Sequence, residues 1–482
     1  MEQLSGLDAA FLYLETPQMH MHVALCAVLD PSEMPGGYRF EAIENLVLSR
    51  LDRLPPFTRR LVMDPLGLDH PHWIEDPEFD PIHHIRRVSC PAPGGSHELG
   101  RLVGRITSRP LPRDRPLWEL WVVEGLAEGR FAIVAKVHHS AVDGMMGAGL
   151  MVNLFGMTRE PAPEAPPPRE EEHPVPPEPR PSDIEMLKSA ARKRLAQPRK
   201  LVDLAKRTVE RVGGVVERRR DPELAHGGTP LTAPRTRLNR PIGPQRDVGF
   251  ARLSLAELKA IKAAVEGAKL NDVLLAVVGG ALRRYLAHHD DLPEVPLVAT
   301  CPIATGAGRG NNNVAAMFVP IATHLAEPEA RLEAIQAATR GAKEEHAVLG
   351  KGELLQDWAD LAPTTTFSVA SSLYSRLKLS KHHRPVHNLI VSNVPGPPMP
   401  VYLAGAELEA AYPMGPILDG AALNVTVMSY RGQVDFGFMV ARDVVPDVWR
   451  LADAVAPAFR ELRDAVLGAP SEASPERSTP AE

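Results

Sequence analysis

Apolar residues along the chain fall into two patterned blocks, with an unpatterned stretch between them. In the first block, Leu120-Trp121-Val122-Val123-Glu124 and Phe131 to Val137 are short apolar runs bounded by Gly125 and Gly129. Their length and flanks predict two strands joined by a short turn. In the second block, Leu253 to Glu266 has helical spacing, with Ser254 as the cap and Glu257 three residues on. Asn271-Asp272 then opens a second helix, Val273 to Leu286. Strand-like runs recur at Val295 to Cys301, Leu389 to Val391, Asn424 to Ser429 and Gln433 to Val440. Both blocks therefore read as mixed α/β.

The stretch between them changes character after Met157. Ten prolines fall between Pro161 and Pro181, interleaved with Glu170, Glu171 and Glu172. Such a sequence cannot bury apolar surface or hold a helix. Helical composition returns from Ser182 to about Val212, with a break or kink expected at Pro198. Between Asp183 and Val212 there are nine Lys/Arg against four Asp/Glu. This segment fits a solvated helical pair bridging two domains, or a basic amphipathic surface for anionic lipid headgroups. The divisions are residues 1–158, an N-terminal domain; 159–235, a crossover; 236–468, a C-terminal domain; and 469–482, a Ser/Pro/Glu-rich tail expected to be disordered.

A length of 482 residues fits two domains, and 44% hydrophobic with 24% charged residues fits a soluble globular protein. A net charge of -6 argues against a nucleic-acid partner. Three scattered cysteines, Cys26, Cys90 and Cys301, make no disulfide framework, and Met1-Glu2-Gln3-Leu4 is no secretory leader, so a cytoplasmic location is expected. The most apolar run, Val273 to Leu282, is half the length of a membrane span, so any membrane contact is expected to be peripheral.

Adjacent histidine pairs occur four times, at His83-His84, His138-His139, His288-His289 and His382-His383, so a pair alone carries little. His138-His139 differs by its place at the end of the strand Phe131 to Val137 and by Asp143-Gly144 at fixed spacing. The pattern HHxxxDG arises by chance in only roughly a few chains of this composition per thousand. An imidazole delivered by a strand end can take a proton from an alcohol near neutral pH. His139 is the expected base and His138 a packed neighbour. Asp143 either supports the loop or caps a helix over Met145 to Leu154, and Gly144 permits close backbone approach. No third ligand sits at metal-binding spacing, so no metal is expected. No serine-hydrolase elbow or phosphate loop occurs, and Gly306 to Gly310 reads as a tight turn.

In this setting the chain resembles the bacterial wax ester synthase/diacylglycerol acyltransferase family, within the CoA-dependent acyltransferase superfamily. The matching segments are Leu4 to Leu12, Met21-His22, Pro116-Leu117-Trp118-Glu119, Leu238-Asn239, Asn271 to Ala276, Ser392-Asn393-Val394-Pro395-Gly396-Pro397 and Leu423-Asn424. Asp435-Phe436-Gly437-Phe438 is similar to the DFGWG element of plant members, with Phe438 in place of Trp. The chain departs from the family at Pro302 to Gly306, where a serine-and-arginine stretch is common, and in its long proline-rich linker. The resemblance implies an α/β fold of two domains, each a mixed sheet backed by helices, joined by a long crossover, with a tunnel between them. It implies acyl transfer from acyl-CoA, a substrate and not a cofactor, to diacylglycerol or a long-chain alcohol, at a membrane or lipid-droplet surface. It also implies Asn271 as an oxyanion or positioning residue and Ser392, Asn393 and Gly396 as tunnel residues. Two other readings are a condensation-type acyltransferase acting on carrier-bound substrates and a non-catalytic lipid-surface protein.

Overall fold

The computed structural model describes residues 2–64, 67–141, 153–161, 183–304, 314–350, 352–361 and 364–468. Asp143, Gly144, Gly306 to Gly310, the proline run beyond Pro161 and the tail beyond Gly468 lie outside the described residues, as does most of the helix expected over Met145 to Leu154.

The strands are β1 (Glu2–Gln3), β2 (His22–Asp30), β3 (Arg59–Val62), β4 (His72–Glu75), β5 (Ile85–Ser89), β6 (Trp118–Glu124), β7 (Phe131–His138), β8 (Arg246–Ser254), β9 (Val298–Ala304), β10 (Val314–Pro320), β11 (Leu389–Pro395), β12 (Tyr402–Leu403), β13 (Ala406–Met414), β14 (Leu423–Tyr430) and β15 (Gln433–Ala441). They build two six-stranded sheets, ordered β12-β13-β2-β7-β6-β5 and β10-β9-β11-β14-β15-β8, with a small sheet β1-β4-β3 at the side. Both large sheets are mixed. β5 runs parallel to β6, and β11 runs parallel to β9 and β14, while the other pairs are antiparallel.

The helices used below are α1 (Gly6–Leu14), α2 (Phe40–Ser49), α3 (Ser96–Thr107), α4 (Asp183–Arg218), α5 (Leu255–Ala264), α6 (Leu270–His288), α7 (Pro328–Val348), α8 (Glu353–Leu361), α9 (Thr364–Arg376) and α10 (Val455–Leu467). Ser254 caps α5 by accepting the Glu257 N–H, as its spacing predicts. α6 is capped differently. The Asp272 carboxylate reaches back to the Lys269 N–H, and Asn271 sits inside the first turn.

Two findings depart from the sequence reading. First, α4 is one 36-residue helix that runs through Pro198 without a break, so the expected pair of helices is a single one. Second, β12 and β13, which fall within residues 236–468, join the N-terminal sheet. β13 pairs antiparallel with β2 from Glu407↔Asp30 to Met414↔Ala24. The crossing is fixed from the second sheet by fully buried Asp435, which accepts the Ala411 N–H at 2.8 Å and pairs with Arg252 at 2.6 Å. Gly437 is required there, because a Cβ at that position would lie 2.0 Å from the Pro413 carbonyl oxygen.

The two halves also share one apolar core. Met21, Cys26, Val103 and Val134 from the first half belong to the same cluster as Val248, Phe250, Val425 and Phe438 from the second. α3 lies against β8 in this region, and the close approach depends on Gly100 and Gly104. A Cβ on Gly100 would sit 2.5 Å from the Val248 carbonyl oxygen, and one on Gly104 2.9 Å from that of Arg246.

Candidate active site

Every residue of β7 is buried, and strand alternation splits its side chains between two surroundings. Ala135, Val137 and His139, just beyond the strand end, face a cavity of about 340 Å³ between the large sheets. Lys136 and His138 face the other way.

The cavity is walled by Leu7, Phe11 and Leu14 of α1, by β2, and by residues of β9, β10, β11 and β14 from the opposite sheet. Its lining is almost wholly apolar, and the polar exceptions besides His139 are Thr300, Ser392, Asn424 and Thr426. His139 is half-buried, and its ring stacks on Phe11 at 4.0 Å between centroids with 10° between planes. Its backbone is held where β7 ends, the N–H donating to the Met21 carbonyl at 2.8 Å. An apolar wall and a stacked ring leave the imidazole few orientations.

On the far face, His138 is buried. Its Nδ1 accepts the Ser140 N–H at 3.1 Å and lies 2.7 Å from the Ser140 hydroxyl, which folds the turn that follows His139. Accepting at Nδ1 leaves the neutral ring its proton on Nε2, which points at Glu15 Oε2 at 3.7 Å. That distance is too long for a hydrogen bond, so Arg113, at 2.6 Å, is the firmer partner of the Glu15 carboxylate. Burial pushes the Glu15 pKa up, but His138 and Arg113 outweigh it and hold the group down to about 2. Nearby, His22 faces His138 across the strand pair, and His20 stacks on His22. Burial, with Lys136 adding to it, holds His22 well below its usual pKa; burial and Arg246 push His20 down to about 4. Lys136 is fully buried, paired with Glu119 at 2.8 Å and bonded to the carbonyls of Ile106 and Arg109 at the end of α3.

The residues picked from sequence separate accordingly. His139 and Ser392 meet in the cavity. Asn393, next to Ser392 on β11, is exposed on the other face. Gly396 lies outside the lining and packs on β14, where a Cβ would be 2.4 Å from the Ser429 carbonyl oxygen. Asn271 is also outside the lining and lies in the first turn of α6. Four site residues carry no sequence prediction of their own: Phe11, Glu15, Thr300 and Asn424. Phe11 and Asn424 fall inside segments carrying the family resemblance, whereas Glu15 and Thr300 give no sequence signal. Asn424 is spent on structure, accepting from Thr426 at 2.7 Å and donating to the Pro416 carbonyl at 3.1 Å. Thr300 keeps a buried hydroxyl with no hydrogen-bond partner among the described residues.

A half-buried imidazole at a strand end, facing an apolar slot between two sheets, is an arrangement that can take a proton beside a lipid-like molecule. The wax ester synthase/diacylglycerol acyltransferase catalytic domain matches residues 4–274, and the C-terminal domain of the same family matches 310–463. The chain belongs to this family. It is 37% identical over 466 residues to a Mycobacterium tuberculosis protein provisionally named a diacylglycerol O-acyltransferase, covering 96% of this chain and 90% of the relative. A second such protein from that species is 35% identical over 473 residues, covering 96% and 97%. Among solved structures, the wax ester synthase/diacylglycerol acyltransferase from Marinobacter aquaeolei VT8 matches with a TM-score of 0.67 and 28% identity, covering 96% of this chain and 99% of that one. The first condensation domain of the calcium-dependent antibiotic synthetase shares the fold, with a TM-score of 0.54 at 15% identity over 96% and 95% of the two chains.

Proposed function

We propose that the chain moves a long-chain acyl group from acyl-CoA to the hydroxyl of diacylglycerol or a long-chain alcohol, with His139 as general base. The observation that carries this is the place of His139 on the wall of the apolar inter-sheet cavity. His139 takes the acceptor's hydroxyl proton as the oxygen attacks the thioester carbonyl. The tetrahedral adduct then collapses, the C–S bond breaks and the CoA thiolate leaves, taking its proton from the imidazolium. Apolar walls exclude water, which favours transfer to the alcohol over hydrolysis. Thr300, whose hydroxyl is otherwise unspent, is the candidate donor to the acyl carbonyl in place of Asn271. Lipid acceptors place the work at a membrane or lipid-droplet surface. No helix among the described residues is long and apolar enough to cross a membrane.

The test is thiol release from palmitoyl-CoA with diacylglycerol, hexadecanol or no acceptor. His139→Ala is expected to lose about 10²- to 10⁴-fold in rate while remaining folded. His138→Ala should lose less, since its ring shapes the turn and does not face the cavity. Near-wild-type turnover in His139→Ala would refute the assignment. Acyl-CoA binding without thiol release on any acceptor would refute transferase activity.

A further inference from the structure

We propose that α9 and the basic turn following it dock the protein on an anionic lipid surface, beside the wall of the cavity. The inference rests on the acyl-lipid reading above and specifies which face meets the lipid.

α9 has two unlike sides. Its inner side packs on α1, the helix that supplies Leu7, Phe11 and Leu14 to the cavity. Ser371 donates to the Leu14 carbonyl at 3.1 Å, and Phe367 meets Tyr13 edge-on at 6.3 Å. On its outer side Val369 and Leu373, with Leu377 just past its end, at i, i+4 and i+8, are 60%, 49% and 53% exposed. That spacing makes one apolar stripe that the described residues leave largely uncovered. Leu355 of α8 lines the cavity and is itself 47% exposed, so apolar surface reaches from the cavity to solvent in this region.

Charge identifies the occupant. Arg376, Lys378, Lys381 and Arg384 follow the stripe directly and are all exposed. None forms an ion pair with a carboxylate among the described residues, and Lys378 senses Asp419 only at longer range. From Leu361 to Ala406 the sequence has no Asp or Glu at all. A stripe of branched apolar side chains edged by unpaired cations suits a surface of acyl chains beneath anionic headgroups. The basic residues of α4 that face the body are already committed. Arg207 pairs with Asp357 at 2.9 Å, Arg211 with Glu353 at 2.9 Å and Arg218 with Glu344, and Arg219, just past the helix end, pairs with Glu345 at 2.7 Å. They tie the crossover helix to α7 and α8 and leave Arg199, Lys200 and Lys206 exposed on it, whereas of α4 and α9 only α9 packs on the helix that walls the cavity.

The experiment is sedimentation of the full chain with sucrose-loaded vesicles of phosphatidylcholine alone or with about a third phosphatidylglycerol. Wild type should bind the anionic vesicles and bind neutral ones at least about tenfold more weakly. The charge reversal R376E/K378E/K381E/R384E and, separately, Leu373→Asp should each lower partitioning about tenfold or more. Both variants are at exposed positions, and far-UV circular dichroism reports their folding. Their thiol release with acceptor in detergent micelles should match wild type. Val209→Asp with Val212→Asp on the outer face of α4 should bind as wild type. Three outcomes overturn the proposal: no vesicle binding by wild type, undiminished binding by both α9 variants, or loss of binding confined to the α4 variant. Concentration-dependent dimerisation abolished by Leu373→Asp would also overturn it, because the stripe would then face a second copy. If wild type releases no thiol in micelles, the acyltransferase reading fails on that measurement alone, whereas docking is decided by the vesicles.

Discussion

Replacing Glu15 by Gln removes a single charge from behind β7, the strand that leads to His139, while preserving size and shape. The carboxylate is almost fully enclosed, with its side chain 9% exposed, beside Arg113 and His138. Its pKa is held from 4.5 down to about 2, which at 1.36 kcal/mol per tenfold corresponds to about 3 kcal/mol of folding free energy at neutral pH. The His138 contact, at 3.7 Å, is long, so the part carried by Arg113 is the firmer one and a measured loss of about 2 kcal/mol is expected. The sign follows from linkage. A carboxyl whose folded pKa lies below its unfolded one stabilises fully above about 4.5, and that stability is lost as pH falls towards 2.

Urea unfolding at pH 7, followed by both circular dichroism and tryptophan fluorescence, measures the difference between wild type and Glu15→Gln. A structural charge alone would change only this. If Glu15 also fixes the His138 ring, and through it the Ser140 turn, kcat should fall several-fold with KM little changed, because the cavity wall is intact. A variant within about 0.5 kcal/mol of wild type would refute the energetic argument. An unchanged kcat in a measurably destabilised variant would show that the carboxylate holds Arg113 and α1 without acting on His139.

Acid should destabilise the fold earlier than carboxylates alone would require. His20 and His387 are held neutral down to about 4 by burial, with Arg246 adding to the effect at His20, so the unfolded chain takes up protons first and stability present above about 6.5 is lost as pH falls towards 4. The two together set an upper bound of about 7 kcal/mol, and a urea midpoint equal at pH 7 and pH 5 would contradict this. Gly100→Ala drives a methyl towards the Val248 carbonyl and should cost about 2 kcal/mol or more in the same assay, with wild-type stability as the contrary result. Thr300→Val removes a buried hydroxyl that has no partner, so the protein should gain about 1 kcal/mol. If that hydroxyl meets the acyl carbonyl, kcat/KM should fall about tenfold at the same time; greater stability with unchanged turnover would exclude the contact.

Local pattern accounts for much of what was legible. β6, β7, β14 and β15 are mostly apolar because both of their faces are largely covered, and such stretches stand out in a sequence even with single polar residues inside them. β13 was missed because Glu407 and Glu409 interrupt it, and its partner β2 lies some 380 residues away in sequence. β9 begins at Val298, not Val295, which is 52% exposed ahead of Pro296. α4 passes through Pro198 although local propensity opposes it, with its ion pairs to α7 and α8 lying C-terminal to that point.

The site was legible only where chemistry and strand period coincide. His139 could be singled out because a motif places it one step past a buried strand. The same period of two explains why Ser392 reaches the cavity and Asn393 does not, a distinction invisible until the start of β11 is known. It also separates the histidine pair. Odd positions of β7 build the apolar wall from which His139 projects, and even positions carry Lys136 and His138 into a polar cluster with Glu119, Glu15 and His22. Sliding β7 by one residue would exchange the two sets, putting Lys136 in the apolar slot and His139 among buried charges. The Lys136–Glu119 pair, buried on one face only, opposes that slip, so the polar cluster behind the strand fixes which histidine faces the cavity.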